Sequence, residues 1–280
     1  MGRYSKLAGL CIVFATLGMV RDLSAIEGVS GQAVAVPAAA PVPPPWLTVE
    51  INIPAKELSL VAQDKVIAKY PVAIGQLAHR SVTMESEIRT IEWNPWWYPP
   101  PSPWAKNDKI TPPGPKNPLG PVKFPLDQGI RIHGTNNEKS VGRAASHGCF
   151  RMRNDDAVEL GWYLQSHFSD QTDPTLLEKY SKNRRQTYHV TLLQTVPVKV
   201  IYEPAVVRED TLHLYPDVYG RVHDWLEKIQ LALQNHGMSA PQLPKERVEA
   251  LKKMLKQDQL TVPVHELIQP EVNTPPAPVS

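Results

Sequence analysis

The sequence is poor in cysteine, in clustered charge and in the usual metal-binding spacings. Only two cysteines, Cys11 and Cys149, occur in 280 residues, and the formal net charge is +2. No dense block of lysine and arginine is present, which argues against a nucleic-acid-binding protein. Neither an HExxH motif nor a closely spaced cysteine pair occurs, so the common sequence signatures of a zinc site are missing.

The first residues have the pattern of an export signal. Arg3 and Lys6 precede an uncharged apolar run at 7–20, which is shorter than the ~20 residues of a membrane span. We therefore predict a signal peptide over residues 1–25. An uncleaved membrane anchor is the alternative, because Leu23 is not the small residue that cleavage usually requires at its position.

Cys149 ends the motif Ser146-His147-Gly148-Cys149, which has the residue types of a thiol active site. A thiolate is the nucleophile of cysteine enzymes, and an imidazole such as that of His147 can help to form it. Gly148 leaves room for a substrate carbonyl to approach backbone N–H groups. Without the signal peptide, Cys149 would be the only thiol in an oxidising compartment, which favours a reactive cysteine over a buried structural one.

A second histidine, His133, follows the strand-like segment 129–132, and the fold must bring it to the thiol. A general base can come from any part of the chain that reaches hydrogen-bond distance. His133, His147 and Cys149 could alternatively be three ligands of a zinc ion with an open fourth position, as in a zinc hydrolase. Both interpretations stay open, although the missing zinc spacings favour the thiol enzyme.

Alternating apolar and polar residues predict a mainly β fold, with a meander of short antiparallel strands at its start. After the cysteine motif, Asn154 is a candidate N-cap of one short helix. The helical spacing of Ala157, Leu160, Gly161 and Leu164 predicts the buried face of that helix. The predicted strands are 47–53, 58–61, 66–74, 88–93, 129–132, 188–192 and 196–202.

Composition divides the rest of the chain into four segments. A linker rich in proline and alanine at 26–45 precedes a catalytic domain at 46–203. A C-terminal extension at 204–262 and a proline-rich tail at 263–280 follow.

The extension contains two apolar patterns with helical spacing, at 222–233 and 248–255, joined through 237–241. We expect two amphipathic helices that pack as a hairpin against their own domain. A docking site for a periplasmic partner is the alternative.

Proline is abundant, with 29 residues, and its density in the segment 94–121 excludes regular structure there. The same segment carries Trp96-Trp97-Tyr98 and Trp104. One hypothesis makes it a wall or lid of the substrate cleft, with Trp97 as a substrate-binding residue. The other makes it a rigid surface loop whose tryptophans pack on the sheet.

Ile132-His133-Gly134-Thr135 and the later run Ser146-His147-Gly148-Cys149-Phe150-Arg151-Met152 resemble the active-site motif of the L,D-transpeptidases of the YkuD type. The histidine lies sixteen residues before the cysteine, which makes the match specific. The resemblance covers 46–203 and points to periplasmic enzymes of Gram-negative bacteria. It implies a YkuD-like β-sandwich or meander and a periplasmic location. The family's Thr-Pro-x-Gly turn is replaced by Ser81-Val82-Thr83-Met84-Glu85-Ser86, so one wall of the cleft should differ.

The resemblance also implies the reaction. Cys149 would attack the carbonyl of the third residue of a tetrapeptide stem, meso-diaminopimelate, and the terminal D-alanine would leave. An amine would then resolve the thioester. His133 would act as the general base, oriented by a backbone carbonyl near Gly134, while His147 and Ser146 would hold the pair in position.

Two further sets of groups complete the implied site. The N–H groups of Gly148 and Cys149 are the expected oxyanion hole. Arg151, Arg143 and Arg131 are expected to face a substrate rich in carboxylates, because a planar guanidinium binds a carboxylate through two hydrogen bonds. A solvated surface charge is the alternative for each of them. The implied chemistry needs no metal and no cofactor.

The implied partners are peptidoglycan stem peptides and a lysine-bearing outer-membrane lipoprotein, and no nucleic acid. The acyl acceptor stays open, since a second stem, a lipoprotein lysine or water could resolve the thioester. Water would make the protein an L,D-carboxypeptidase or amidase. A non-catalytic wall-binding module is a further alternative, although such a module has no need of a base beside a thiol.

Overall fold

The computed structural model describes residues 47–238, 243–255 and 259–268. The predicted signal peptide and linker, and most of the predicted tail, lie outside the described residues. Within these three ranges, no helix combines the length and the apolar character that a membrane span requires. The predicted mainly β fold is confirmed.

The regular elements follow one another as strands, two helices, strands and a final mixed group. The strands are β1 (Leu47–Asn52), β2 (Glu57–Ala62), β3 (Lys65–Pro71), β4 (Ile74–Gly75), β5 (Met84–Trp93), β6 (Val122–Pro125), β7 (Arg131–His133), β8 (Ala144–Ser146), β9 (Phe150–Arg151), β10 (Tyr188–Ile201), β11 (Ala205–Arg208), β12 (Thr211–Leu214) and β13 (Leu260–Pro263). The helices are α1 (Asn154–Phe168), α2 (Thr175–Lys182), α3 (Trp225–Asn235), α4 (Lys245–Met254) and α5 (Val264–Ile268).

An eight-stranded sheet in the order β3-β2-β1-β10-β5-β6-β7-β9 forms the body of the protein. The predicted antiparallel meander is present as β1, β2 and β3. The sheet as a whole is mixed, however, because β10 runs parallel to β1 and antiparallel to β5. The strands predicted at 188–192 and 196–202 are one strand, β10, with an irregularity between Thr191 and Val196.

Helix α1 covers one face of this sheet with the predicted residues Ala157, Leu160 and Leu164, all fully buried. A Cβ at Gly161 would lie 3.3 Å from the Trp93 ring, so the glycine lets the helix lie directly on the tryptophan. The Trp93 indole N–H donates to Gln165 Oε1 at 2.7 Å, which satisfies both buried polar groups. The sequence predicted only one helix here, and α2 is additional.

The proline-rich segment 94–121 lacks α-helix and strand, as predicted, and is organised by one buried amide. The Asn117 side chain is fully buried. Its Nδ2 lies 2.9 Å from the carbonyl oxygen of Pro95 and 3.1 Å from that of Thr111, and its Oδ1 accepts from Leu119 N at 2.9 Å. These bonds replace the ladder that proline cannot form.

The C-terminal part has a second hydrophobic cluster, built from the three-stranded sheet β11-β12-β13 and helices α3 to α5. Two helices were predicted, and the sheet was not. Asp224 caps α3 by accepting from Leu226 N and Glu227 N. Met254, one of the apolar residues of the predicted helical pattern 248–255, is 62% exposed. Residues 263–268 continue through β13 and α5, and the predicted division into domains stays a prediction.

Candidate active site

Two short neighbouring strands place the histidine and the cysteine of the motif on adjacent segments of the main sheet. Strands β7 and β9 pair in parallel, with Ile132 opposite Phe150 and His133 opposite Arg151. Ile132 and Phe150 are fully buried, so this register is fixed by the core. His133 therefore lies opposite Arg151, the last residue of β9, and Cys149 immediately precedes that strand.

His133 is held in one protonation state by its surroundings. Its Nδ1 lies 2.5 Å from the carbonyl oxygen of Gly134, which can only accept, so Nδ1 carries the proton and Nε2 a lone pair. The pKa of His133 is lowered to about 3, mainly by burial and to a smaller extent by the positive charges of Arg151 and Arg131, while the bond to Gly134 acts in the opposite direction. The neutral imidazole with a free Nε2 lone pair is the form that a general base requires.

Gly134 and Thr135 are fixed from behind by Asn154. A Cβ at Gly134 would lie 2.5 Å from Asn154 Oδ1 and 2.9 Å from Pro121, so only glycine fits. Asn154 Oδ1 accepts from Thr135 N at 2.8 Å. The N-cap prediction for Asn154 is wrong: Arg153 is the N-cap, because the Asn154 side chain is engaged with Thr135.

Ser146 closes the turn that presents the thiol. Its hydroxyl donates to the Cys149 carbonyl at 2.6 Å and accepts from Gly148 N at 3.1 Å. Gly148 has φ +111°, a left-handed conformation that favours glycine. Because the Gly148 N–H is already engaged, this conformation does not offer it as the predicted oxyanion donor, and the Cys149 N–H is the other candidate.

Ser81, which sequence reasoning noted only as part of a departure from the family pattern, contacts the same turn. It is fully buried. Its hydroxyl donates to the Gly148 carbonyl at 2.8 Å and accepts from Gly75 N at 2.9 Å. No local sequence signal marks this contact, because it joins residues far apart in the chain.

His147 is exposed and lies between two loops rather than beside the buried His133. Its ring stacks on Trp104 with centroids 3.9 Å apart, and the ring of His79 lies 4.8 Å away. Partial burial lowers the pKa of His147, and His79 and Arg151 lower it further. These contacts place His147 in the wall of the site.

The three predicted arginines differ in exposure. Arg143 is exposed, whereas Arg131 and Arg151 are partly buried. Burial lowers the pKa of Arg151, against the charge of the nearby Cys149. Among the ion pairs of the described residues, none involves these three side chains.

No group of three His, Cys, Asp or Glu side chains in the described parts of the chain is placed to hold a metal ion, and this includes His133, His147 and Cys149. A cavity of about 260 Å³ lies behind Thr135 and Asn154. Another of about 470 Å³ lies beside α3. Neither of these two cavities is lined by Cys149 or His133. The candidate substrate-binding surface is the region around the Cys149 thiol.

Comparison with known proteins identifies the family. Residues 47–165 match the YkuD family model, described as the L,D-transpeptidase catalytic domain. The chain is 31% identical over 135 residues to "Putative L,D-transpeptidase YkuD" of Bacillus subtilis (strain 168), covering 47% of this chain and 68% of that protein. The chain belongs to the L,D-transpeptidase family.

Further relatives match shorter stretches. "Probable L,D-transpeptidase ErfK/SrfK" of Escherichia coli (strain K12) is 34% identical over 101 residues, which is 32% of each chain. The solved structure "LD transpeptidase LdtMt1 in complex with imipenem" covers 55% of this chain and 58% of its own, with 16% identity and a TM-score of 0.37.

In this member of the L,D-transpeptidase family, the two hypotheses for the proline-rich segment 94–121 can be tested by mutation. Trp104 stacks on His147, whereas the Trp97 backbone pairs with Thr111 and closes the loop. We expect Trp104→Ala to lower the ratio of transfer to hydrolysis, because water would reach the thioester more easily. Trp97→Ala should instead lower stability by roughly 1–3 kcal/mol, less than for a fully buried tryptophan.

Product analysis by mass spectrometry and urea denaturation of both variants separate these effects. The lid hypothesis for Trp97, and its role in substrate binding, would gain support only if Trp97→Ala changed the products at unchanged stability. Equal product ratios in Trp104→Ala and the wild type would exclude Trp104 as a cover.

Proposed function

We propose that the protein is a peptidoglycan L,D-transpeptidase in which Cys149 carries the acyl group and His133 is the general base. The observation that carries this proposal is the bond between His133 Nδ1 and the Gly134 carbonyl, on a strand adjacent to the one that Cys149 precedes. This bond leaves the neutral Nε2 free to accept a proton, and we propose that it takes that proton from the Cys149 thiol. A binding module would not need this arrangement.

The proposed reaction has two halves. His133 Nε2 takes the thiol proton while the Cys149 sulfur attacks the carbonyl of the third stem residue. Collapse of the tetrahedral intermediate breaks the bond to D-alanine, whose amine takes the proton from His133, and a thioester remains. An acceptor amine then gives its proton to His133 and attacks the thioester, the C–S bond breaks as the new amide forms, and the Cys149 sulfur takes the proton back from His133. The Cys149 N–H is the proposed oxyanion donor.

The charges around the thiol support a substrate with carboxylates. Arg131, Arg143 and Arg151 have no carboxylate partner among the described residues, and guanidinium groups bind carboxylates through paired hydrogen bonds. Stem peptides carry several carboxylates, and we propose them as donors in the periplasm. A second stem or a lysine of an outer-membrane lipoprotein is the proposed acceptor.

The experiment is incubation of the purified protein with a disaccharide-tetrapeptide, followed by mass spectrometry of the products. We expect loss of D-alanine and formation of a dimer joined between two third residues. Addition of a lysine-containing peptide tests the lipoprotein acceptor by appearance of a mixed adduct. Release of D-alanine with only the tripeptide as product would identify a carboxypeptidase, and an unchanged substrate would contradict the proposal.

A further inference from the structure

We infer that the C-terminal extension completes the active site through Tyr219, a positioning residue for Cys149. The inference rests on the proposed function for its catalytic consequence, but the geometry behind it does not. Tyr219 lies beyond the residues 47–165 that match the family, so this device belongs to the part of the chain that the family match leaves out.

The Tyr219 hydroxyl closes one loop of the site by two bonds to the main chain. It accepts from Ser81 N at 3.0 Å and donates to the Gly75 carbonyl at 2.6 Å. Tyr219 is only 3% exposed, so both bonds are shielded from water. The hydroxyl therefore fixes the two ends of the loop 76–80, which carries His79 against His147.

Ser81 connects this loop to the turn that contains Cys149. Ser81, whose N–H Tyr219 holds, donates from its own hydroxyl to the Gly148 carbonyl. Gly148 in turn belongs to the turn that Ser146 closes around Cys149. The path from Tyr219 to the residue before the nucleophile thus consists of two hydrogen bonds through one buried serine.

Tyr219 is itself anchored to the sheet. Its N–H donates to the Tyr202 hydroxyl at 2.9 Å, and that hydroxyl donates to Asp217 Oδ1 at 2.5 Å. Tyr202 directly follows the central strand β10. Among the fully buried members of the main hydrophobic cluster, Tyr219 is the one residue that comes after β10 in the described chain. The extension therefore reaches into the catalytic core at this point.

Tyr219→Phe removes the hydroxyl and keeps the ring. Tyr215→Phe is the matched control, because Tyr215 is equally buried, at 3% exposure, and its hydroxyl makes no hydrogen bond within the described residues. We expect Tyr219→Phe to lower kcat roughly three- to tenfold, the factor that one buried hydrogen bond corresponds to, with KM within about twofold. Tyr215→Phe should leave kcat and KM at the wild-type values.

Alkylation of Cys149 by iodoacetamide at pH 7 provides a readout that needs no peptidoglycan. We expect its rate to fall in Tyr219→Phe by a similar factor, because a relaxed turn moves the sulfur away from His133. If the wild type does not turn over the stem peptide, the proposed function fails while this comparison still decides the inference. Equal alkylation rates in Tyr219→Phe and Tyr215→Phe would overturn it.

The route through Ser81 is tested by a double-mutant cycle. In a Ser81→Ala background, Tyr219→Phe should have little further effect on kcat or on the alkylation rate, because the path to Gly148 is already broken. Fully additive effects would show that Tyr219 does not act through Ser81. Thermal melting of all four proteins, with Tyr215→Phe beside them, separates loss of positioning from loss of fold.

Discussion

Cys149→Ala should abolish acyl transfer while the protein stays folded. The side chain is only partly buried, so its loss leaves little unfilled volume, whereas the reaction loses its nucleophile. We expect turnover to fall by at least about 10³-fold, as in other enzymes that lose a nucleophile. Cys149→Ser should be nearly as inactive, because a hydroxyl ionises much less readily than a thiol.

Release of D-alanine measures turnover, and intact-mass analysis detects the acyl-enzyme. Cys11 lies in the predicted signal peptide, so in protein purified without residues 1–25 Cys149 is the only thiol and a mass adduct on sulfur reports on it alone. Substantial turnover in Cys149→Ala, with a normal melting curve, would contradict a covalent mechanism at this residue.

His133→Gln should lower the activity of the protein, but it should also reduce the loss of stability that acid causes. Loss of the general base should lower kcat by about 10²–10⁴-fold. The stability effect follows from the pKa of His133, which is about 3 in the folded protein and about 6.5 in an unfolded chain. Between these values the unfolded chain binds a proton that the folded protein does not.

The free energy of unfolding should therefore decrease as pH falls from about 6.5 towards 3, on the order of 1 kcal/mol per pH unit from this residue alone. His133→Gln lacks the titrating group and should show a flatter dependence. Urea denaturation at several pH values from 7 to about 4 measures the slope. His167→Gln, at an exposed histidine, should keep the wild-type slope, and a wild-type slope in His133→Gln would contradict a buried neutral imidazole.

Local patterns predicted those parts of the fold whose partners are close in the chain. The hairpins of β1, β2 and β3 and the buried face of α1 follow from alternation and helical spacing alone. The parallel pairing of β1 with β10 was missed, because no turn connects the two strands and nothing local sets their direction. The pairing of β12 with β13 was missed because the two strands lie far apart in the chain, whereas β11 and β12 form a local hairpin that the sequence analysis did not identify.

In the candidate site, too, local motifs were recognised from the sequence and contacts between distant segments were not. His133 and Cys149 were found because they stand in a recognisable motif. The contacts of Ser81 with Gly148 and of Trp104 with His147 were not, since each joins separate segments that only the folded chain brings together. A tertiary contact also determines the role of Asn154. Asparagine is a common N-cap residue, but here its side chain accepts a hydrogen bond from Thr135 N in a neighbouring loop.

The anchoring of the loop 76–80 has a consequence for how this enzyme could be diversified. Tyr219 binds main-chain atoms, and a Cβ at Gly75 would lie 2.1 Å from the His79 carbonyl oxygen, so the ends of the loop tolerate little variation. Within the loop, Gln76 N donates to the Ser146 carbonyl and His79 N to the Gln76 carbonyl, whereas the Leu77 side chain is 62% exposed. Substitutions at exposed positions of this loop, such as Leu77, should therefore be able to change the preference for the acyl acceptor without changing the position of Cys149.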